Sequence, residues 1–261
     1  MTEFRCYRCK SAVTPRGECA CRDGICLVHA DCRDVLPMLE AGAVDLVLTD
    51  PQYGISQPGG DFARINSKGT RRFDFFPGDH DSRGVWKVVR MTLNEACRLA
   101  SQNASAYVWC GHKQFGHINR LFIRAGWTTR FVVWAKQCPA PAPPGSGWPA
   151  GAELCIYAFR KGRTWMPQAG EPPFSNVLQY DSYRHGKSGK VDHPTQKPTG
   201  LFVELIEYSS RKGDLVLDFF AGSGTTGRAC KDLGRRCLMV EIEEKYCAIA
   251  AERLKQEVLF T

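Results

Sequence analysis

The sequence predicts an α/β fold: a doubly wound, mostly parallel sheet with a terminal β-hairpin and a small cysteine-rich arm at its N-terminus. Three observations predict it. From residue 24 onward, short apolar runs alternate with stretches of helical period, which is the grammar of βαβ units. Runs such as "AVDLVLTD" are almost continuously apolar and end in an acid, as strands buried on both faces do. Six of the 13 cysteines crowd the first 32 residues, where the chain is short of apolar mass and punctuated by Gly and Pro.

The arm comes first in the chain. "CYRC" is followed, after nine residues, by "CAC". A C-x2-C pair is the usual knuckle for tetrahedral zinc, and a second close pair completes a set of four thiolates: Cys6, Cys9, Cys19 and Cys21. A structural zinc would supply the folding energy that residues 1–23 cannot find in a core. The alternative is a floppy arm carrying reduced thiols. Cys26 and Cys32 fall in the strand pattern "ICLVHADC" and read as core. The remaining cysteines are scattered through apolar or helical patterns, and an odd total argues against a disulfide framework.

Residues 24–261 form the main domain. "GICLVHAD" reads as a strand, "CRDVLPMLEAG" as a short helix ending at Gly42, and "AVDLVLTD" as a second strand. Residues 54–83 show no sustained period and read as a loop. The spacing of Val85, Val88, Val89, Leu93 and Ala96 predicts a helix over 84–101. "ASAYVWC" (strand), "KQFGHINRLFIRAG" (helix) and "WTTRFVVWAK" (strand) continue the alternation, and "CPAPAPPGSGWPAG" breaks it. "AELCIYAFRKG" reads as the hairpin partner, and 161–192 as irregular. A helix at 199–210, the strand "DLVLDFF", a glycine loop, a helix, the strand "RRCLMVEI" and a closing helix complete the chain.

Two strand ends carry chemistry. "DLVLDFFAGSGTTG" runs from a strand through Gly222 and Gly224 into a helix, so the backbone can approach a ligand while the helix N-terminus faces it. Gly227 completes a formal G-x-G-x-x-G, and Glu241 closes the next strand, where an acid can hold ribose hydroxyls. That order points to a nucleoside cofactor rather than a plain structural turn. "VDLVLTDPQYGI" places a carboxylate, a backbone carbonyl and an aromatic ring at the tip of a buried strand, although an ordinary strand-to-turn transition also fits it. A third segment, "HPTQKP" at His193 to Pro198, is too rigid for a linker and too polar for a core.

Together these segments resemble one family, the amino-methylating DNA methyltransferases that act on adenine N6 or cytosine N4. "TDPQYG" is similar to their D/N/S-P-P-Y catalytic motif, "DFFAGSGTTG" to their F-x-G-x-G cofactor motif, and "HPTQKP" to the stretch that precedes the cofactor half. The order, catalytic motif first, resembles the permuted β subgroup, and the likeness covers residues 24 to 256. It implies a Rossmann-like domain binding S-adenosylmethionine through Asp218, Phe219, Gly222 and Gly224, with Glu241 on the ribose and Asp31 near the adenine end. Asp50, Pro51 and Tyr53 would make the catalytic site, with Tyr53 stacked on a base flipped from the duplex. Gln196 and Lys197 are assigned to hydrogen bonding around the cofactor or the pocket wall, and His193 and Thr195 to bracing that loop. The catalytic half then spans 24–135 and the cofactor half 193–261, with variable DNA-facing segments at 54–83 and 136–192.

The residue types fit the implied reaction. An exocyclic amine is a poor nucleophile, and the Asp50 carboxylate and Pro51 carbonyl can accept its two N–H groups, so that its lone pair points at the methyl donor. Gln52 stands where the family usually has a second proline, which bears on the rigidity of the loop. The resemblance implies adenine rather than cytosine, because the family's cytosine members more often carry Ser at the position of Asp50. A formal net charge of +8 suits a double-stranded DNA partner, and Arg64, Lys68, Arg71, Arg72, Lys161, Arg163, Arg184, Lys187 and Lys190 could meet phosphates. With little material for reading bases, a short recognition site is expected, or help from the zinc arm or a second copy of the chain in a homodimer. No apolar run approaches bilayer length, and "MTEFRCYRCK" lacks the core of a secretory signal, so a cytoplasmic protein without membrane contact is expected. An RNA or protein amide methyltransferase and an inactive zinc-ribbon DNA-binding protein are the competing readings.

Overall fold

The computed structural model describes residues 3–53, 82–137, 139, 148–160, 175–182, 191 and 196–256. The parallel part of the sheet is built from β1 (Ile25–His29), β2 (Val44–Thr49), β3 (Ala100–Cys110), β7 (Leu215–Asp218) and β8 (Arg236–Glu241). The hairpin strands β4 (Thr128–Lys136) and β5 (Ala152–Phe159) and a short β6 (Val177–Tyr180) complete it. The eight strands lie in the order β1-β8-β7-β2-β3-β5-β4-β6, and only β5 runs against its neighbours. The hairpin therefore enters the sheet in reversed order, with its second strand against β3.

Alternation along each strand divides the core between two faces. Cys26, Val28, Val47, Leu217, Leu238 and Val240 point to one face, where α1 (Cys32–Val35), α2 (Ser82–Leu99) and α3 (His112–Arg124) pack. Ile25, Leu27, Leu46, Leu48, Val216 and Met239 point to the other, covered by α4 (Thr199–Ser209), α5 (Thr225–Leu233) and α6 (Glu244–Lys255). Strands buried on both faces need the continuous apolar runs seen in the sequence.

Three elements differ from the sequence expectation. The short helix after β1 is only α1 plus a 3-10 turn at Leu36–Met38, because Pro37 brings no N–H for a continuing helix. The helix expected over 84–101 spans Ser82–Leu99, and β3 begins at Ala100 without an intervening loop. The stretch 161–192, read as irregular, contains β6, which makes the sheet edge outside the hairpin. Four residues are too few to show a period. Trp134 Nε1 donates to the Tyr180 carbonyl (2.8 Å) and Tyr180 OH donates to Glu204 (2.6 Å), so long-range contacts hold this strand.

The cysteine-rich segment lies along the free edge of β1. Cys6 bridges to Val28, the Tyr7 N–H donates to the Leu27 carbonyl at 2.6 Å, and Cys6 is wholly buried in the core. Among the described residues, no helix is long and apolar enough to cross a membrane.

Candidate active site at the adjoining ends of the second and seventh strands

β2 and β7 are parallel neighbours, so "TDPQY" and "DFFAGSG" leave the sheet side by side. One hydrogen bond ties the two ends together: Thr49 Oγ1 donates to Asp218 Oδ1 at 2.9 Å. Asp218 also accepts from Thr226 Oγ1 and, at 3.2 Å, from the Phe220 N–H. Burial nonetheless pushes its carboxyl up to about 7. Its acceptors are spent on joining β2, the glycine loop and the start of α5. Phe219 is buried below that loop with its ring 5.2 Å from that of Phe220.

The glycine loop needs glycine for two separate reasons. Gly224 caps α5 with φ +76°, and a Cβ there would meet Ala250 Cβ at 2.7 Å and its Cα at 3.2 Å. A Cβ on Gly227 would run into Met239 and Ile25, so this glycine lets α5 lie directly on the sheet. Glu241 then holds the loop: its Oε2 accepts the Gly222 N–H at 2.7 Å and its Oε1 the Glu243 N–H at 2.8 Å. Each oxygen keeps a second acceptor direction. Burial raises this carboxyl above its usual range. Asp31 caps α1 beyond the end of β1, and the neighbouring Ala30 N–H bonds the Glu241 carbonyl at 3.1 Å, so both acids stand on one sheet edge. Arg33 holds the Asp31 carboxyl below its usual range.

Asp50 follows β2 and is half-buried, with Pro51 buried behind it. Tyr53 OH donates to Asp50 Oδ1 at 2.8 Å, and Lys197 Nζ donates to Oδ2. Lys197 is 5% exposed and also meets Glu153 Oε2 at 3.1 Å, while Lys136 meets Glu153 Oε1 at 2.8 Å. Two ammonium groups and two carboxylates thus form one chain, Asp50–Lys197–Glu153–Lys136. Burial raises the Asp50 carboxyl above its usual range, Lys197 opposes that rise, and Glu153 adds to it. Burial also acts upward on Glu153, but Lys197 and Lys136 outweigh it and hold that carboxyl at about 2. The same two carboxylates keep the Lys197 ammonium charged against its own burial.

Gln52, the departure from the double proline, is braced from α3. Gln114 Nε2 donates to the Gln52 carbonyl at 3.3 Å, and its Oε1 accepts the Gly111 N–H at 3.2 Å. Gln196 Oε1 accepts the Val191 N–H at 2.8 Å, which leaves it in the wall of the approach to α4. Lys197, read from the sequence as a cofactor or pocket-wall group, has its ammonium on the Asp50 side. His193, Thr195 and all nine of the cationic residues assigned to phosphates lie outside the described residues. Cys6, Cys9, Cys19 and Cys21 come together, away from this site and beside β1.

Sequence reasoning missed Glu153, Lys136, Thr49 and Gln114. Glu153 opens an antiparallel strand, so its start lies at the same sheet edge as the ends of the parallel strands. That signal exists only once the direction of β5 is known.

The chain has relatives among known proteins. A family model described as DNA methylase matches residues 44–252. The chain belongs to the N6/N4 DNA methyltransferase family. The type II methyltransferase M2.DpnII of Streptococcus pneumoniae is 27% identical over 246 residues, covering 88% of this chain and 90% of its own. Among solved structures, the M1.HpyAVI complex with S-adenosylmethionine superposes with a TM-score of 0.66 at 23% identity, over 89% of this chain and 100% of the other. The cytosine-N4-specific PvuII DNA methyltransferase gives a TM-score of 0.69 at 16% identity, over 91% and 88% of the two chains. At those identities the likeness is one of fold. The family supplies a DNA substrate and a methyl-transfer reaction.

Proposed function

We propose that this chain transfers a methyl group from S-adenosylmethionine to the exocyclic N6 amine of an adenine turned out of double-stranded DNA. The adjacency of the Asp50 and glycine-loop strand ends carries the reading, because it sets an acceptor for the amine beside a cradle for a nucleoside. The residues fit such a cofactor: the Gly222 backbone carries no side chain and the Glu241 carboxylate keeps acceptor capacity for hydroxyl donors, whereas both Asp31 oxygens already accept from Arg33. When bound, S-adenosylmethionine supplies an electrophilic methyl group on a sulfonium.

The chain's own residues do the rest by positioning and electrostatics. Asp50 accepts one N–H of the amine and the Pro51 carbonyl the other, which turns the nitrogen lone pair towards the donor side. Tyr53 offers its ring to the flipped base, and its hydroxyl orients Asp50. Lys197 opposes the burial that favours the neutral form of Asp50. Glu153 in turn holds Lys197 in place. Gln114 gives the Gln52 loop the stiffness that a second proline would give.

The assignment to adenine rests on Asp at position 50. Incubation with methyl-labelled S-adenosylmethionine and double-stranded DNA, followed by nucleoside chromatography, tests it. Label should co-elute with N6-methyldeoxyadenosine. Label in N4-methyldeoxycytidine would replace the adenine assignment with cytosine, and label confined to RNA or protein would remove DNA as the substrate.

A further inference from the structure

The cysteine cluster is untouched by the methyl-transfer chemistry, and it is a built site. The Sγ atoms of Cys6, Cys9, Cys19 and Cys21 all lie within 4.8 Å of one another, and all four residues are free thiols. Cys6 and Cys21 sulfurs are 3.8 Å apart. Four thiolates around zinc at ~2.3 Å put neighbouring sulfurs ~3.8 Å apart at the corners of a tetrahedron. Two separate turns bring these four sulfurs to one place.

The backbone of both turns is arranged around that convergence. In the first, the Lys10 N–H donates to the Cys6 carbonyl and the Cys6 N–H to the Ser11 carbonyl, both at 2.8 Å, so the chain doubles back and brings Cys9 over Cys6. The turn needs Lys10 at φ +62°, a left-handed conformation that costs a non-glycine residue roughly 1 kcal/mol. Ser11 links the two turns, its Oγ lying 3.2 Å from the Cys9 sulfur and accepting the Ala20 N–H at 3.0 Å. Residues 3–24 contain no helix or strand of their own, so packing within the segment does not account for this order.

We propose that Cys6, Cys9, Cys19 and Cys21 bind one zinc ion as a closed structural site, and that this site is a clasp for β1. All four coordination positions come from the protein, so none is left for a substrate. β1 pairs with β8 on one side only. On its other side it receives the Cys6 bridge to Val28 and the Tyr7 N–H on the Leu27 carbonyl, while Arg8 reaches the Ile25 carbonyl at 2.7 Å and Asp23 at 2.7 Å. An open edge strand is thereby covered by a segment whose two turns the metal would lock together. Cys26, on β1 and in contact with Cys6 and Cys19, is the neighbouring thiol that the set leaves out.

Metal analysis of the full chain tests this, with cobalt substitution as a readout of geometry. One zinc per chain is expected, and cobalt in its place should give the intense visible bands of tetrahedral thiolate coordination. Cys9→Ser, the exposed ligand, should lose the metal, whereas Cys26→Ser should retain it. Chelation should speed amide exchange across Ile25–His29 more than across β7. Absence of metal, iron in place of zinc, or retention in Cys9→Ser with loss in Cys26→Ser would overturn the proposed site. Unchanged exchange in β1 after chelation would overturn its role as a clasp.

Discussion

Lys197 brings an ammonium to a carboxylate 147 positions earlier in the chain, and the consequence can be read in a pH profile. Burial lifts the Asp50 carboxyl, Lys197 is the largest influence pulling it down, and Glu153 pushes it up again; Tyr53, Cys110 and Asp218 also face it. Removing the ammonium leaves, among the described groups that lower it, the Tyr53 hydroxyl, so the carboxyl rises further and the ionised acceptor exists only at higher pH. Lys197→Met is therefore expected to move the acid limb of kcat to higher pH, while Lys197→Arg restores it. An unshifted limb in the methionine variant would remove Lys197 from the electrostatics of Asp50. The HPTQKP segment was visible in the sequence as polar and rigid, but its lysine's partner was not. Local pattern cannot announce an ion pair between residues that only the crossover of α4 brings together.

At the level of elements, strands were readable wherever both faces are buried, because the apolar run then has no gap. β2, β7 and β8 are of that kind. The hairpin was readable as two strands but not as an inverted pair, since order within a sheet is a matter of long-range pairing. β6 was not readable at all; its register depends on Trp134 and Tyr180 contacts rather than on a pattern of its own. The glycine loop shows the opposite case, where a short motif states its geometry. Gly224→Ala forces a Cβ against the backbone of α6 in a left-handed conformation. A loss of about 1–3 kcal/mol in stability is expected from such overpacking. Thermal unfolding should show it, with a smaller stabilisation by added S-adenosylmethionine than in the unaltered chain. Unchanged melting would mean that α6 yields without cost.

For the molecule as a whole, the sheet acts as a bench on which two separate sequence motifs are set edge to edge. Asp50 and the glycine loop are far apart in the chain, and the β2–β7 pairing with the Thr49–Asp218 bond makes them neighbours. This junction is proposed to carry out methyl transfer with Asp50 as the amine acceptor. Single-turnover transfer of labelled methyl to double-stranded DNA by Asp50→Ala, with cofactor affinity measured on the same preparation, tests it most directly. Transfer should fall by at least on the order of 10²–10³, the scale of losing one preorganised electrostatic group, while cofactor affinity stays within a few-fold. Transfer at the unaltered rate, or loss of cofactor binding in place of transfer, would contradict the account.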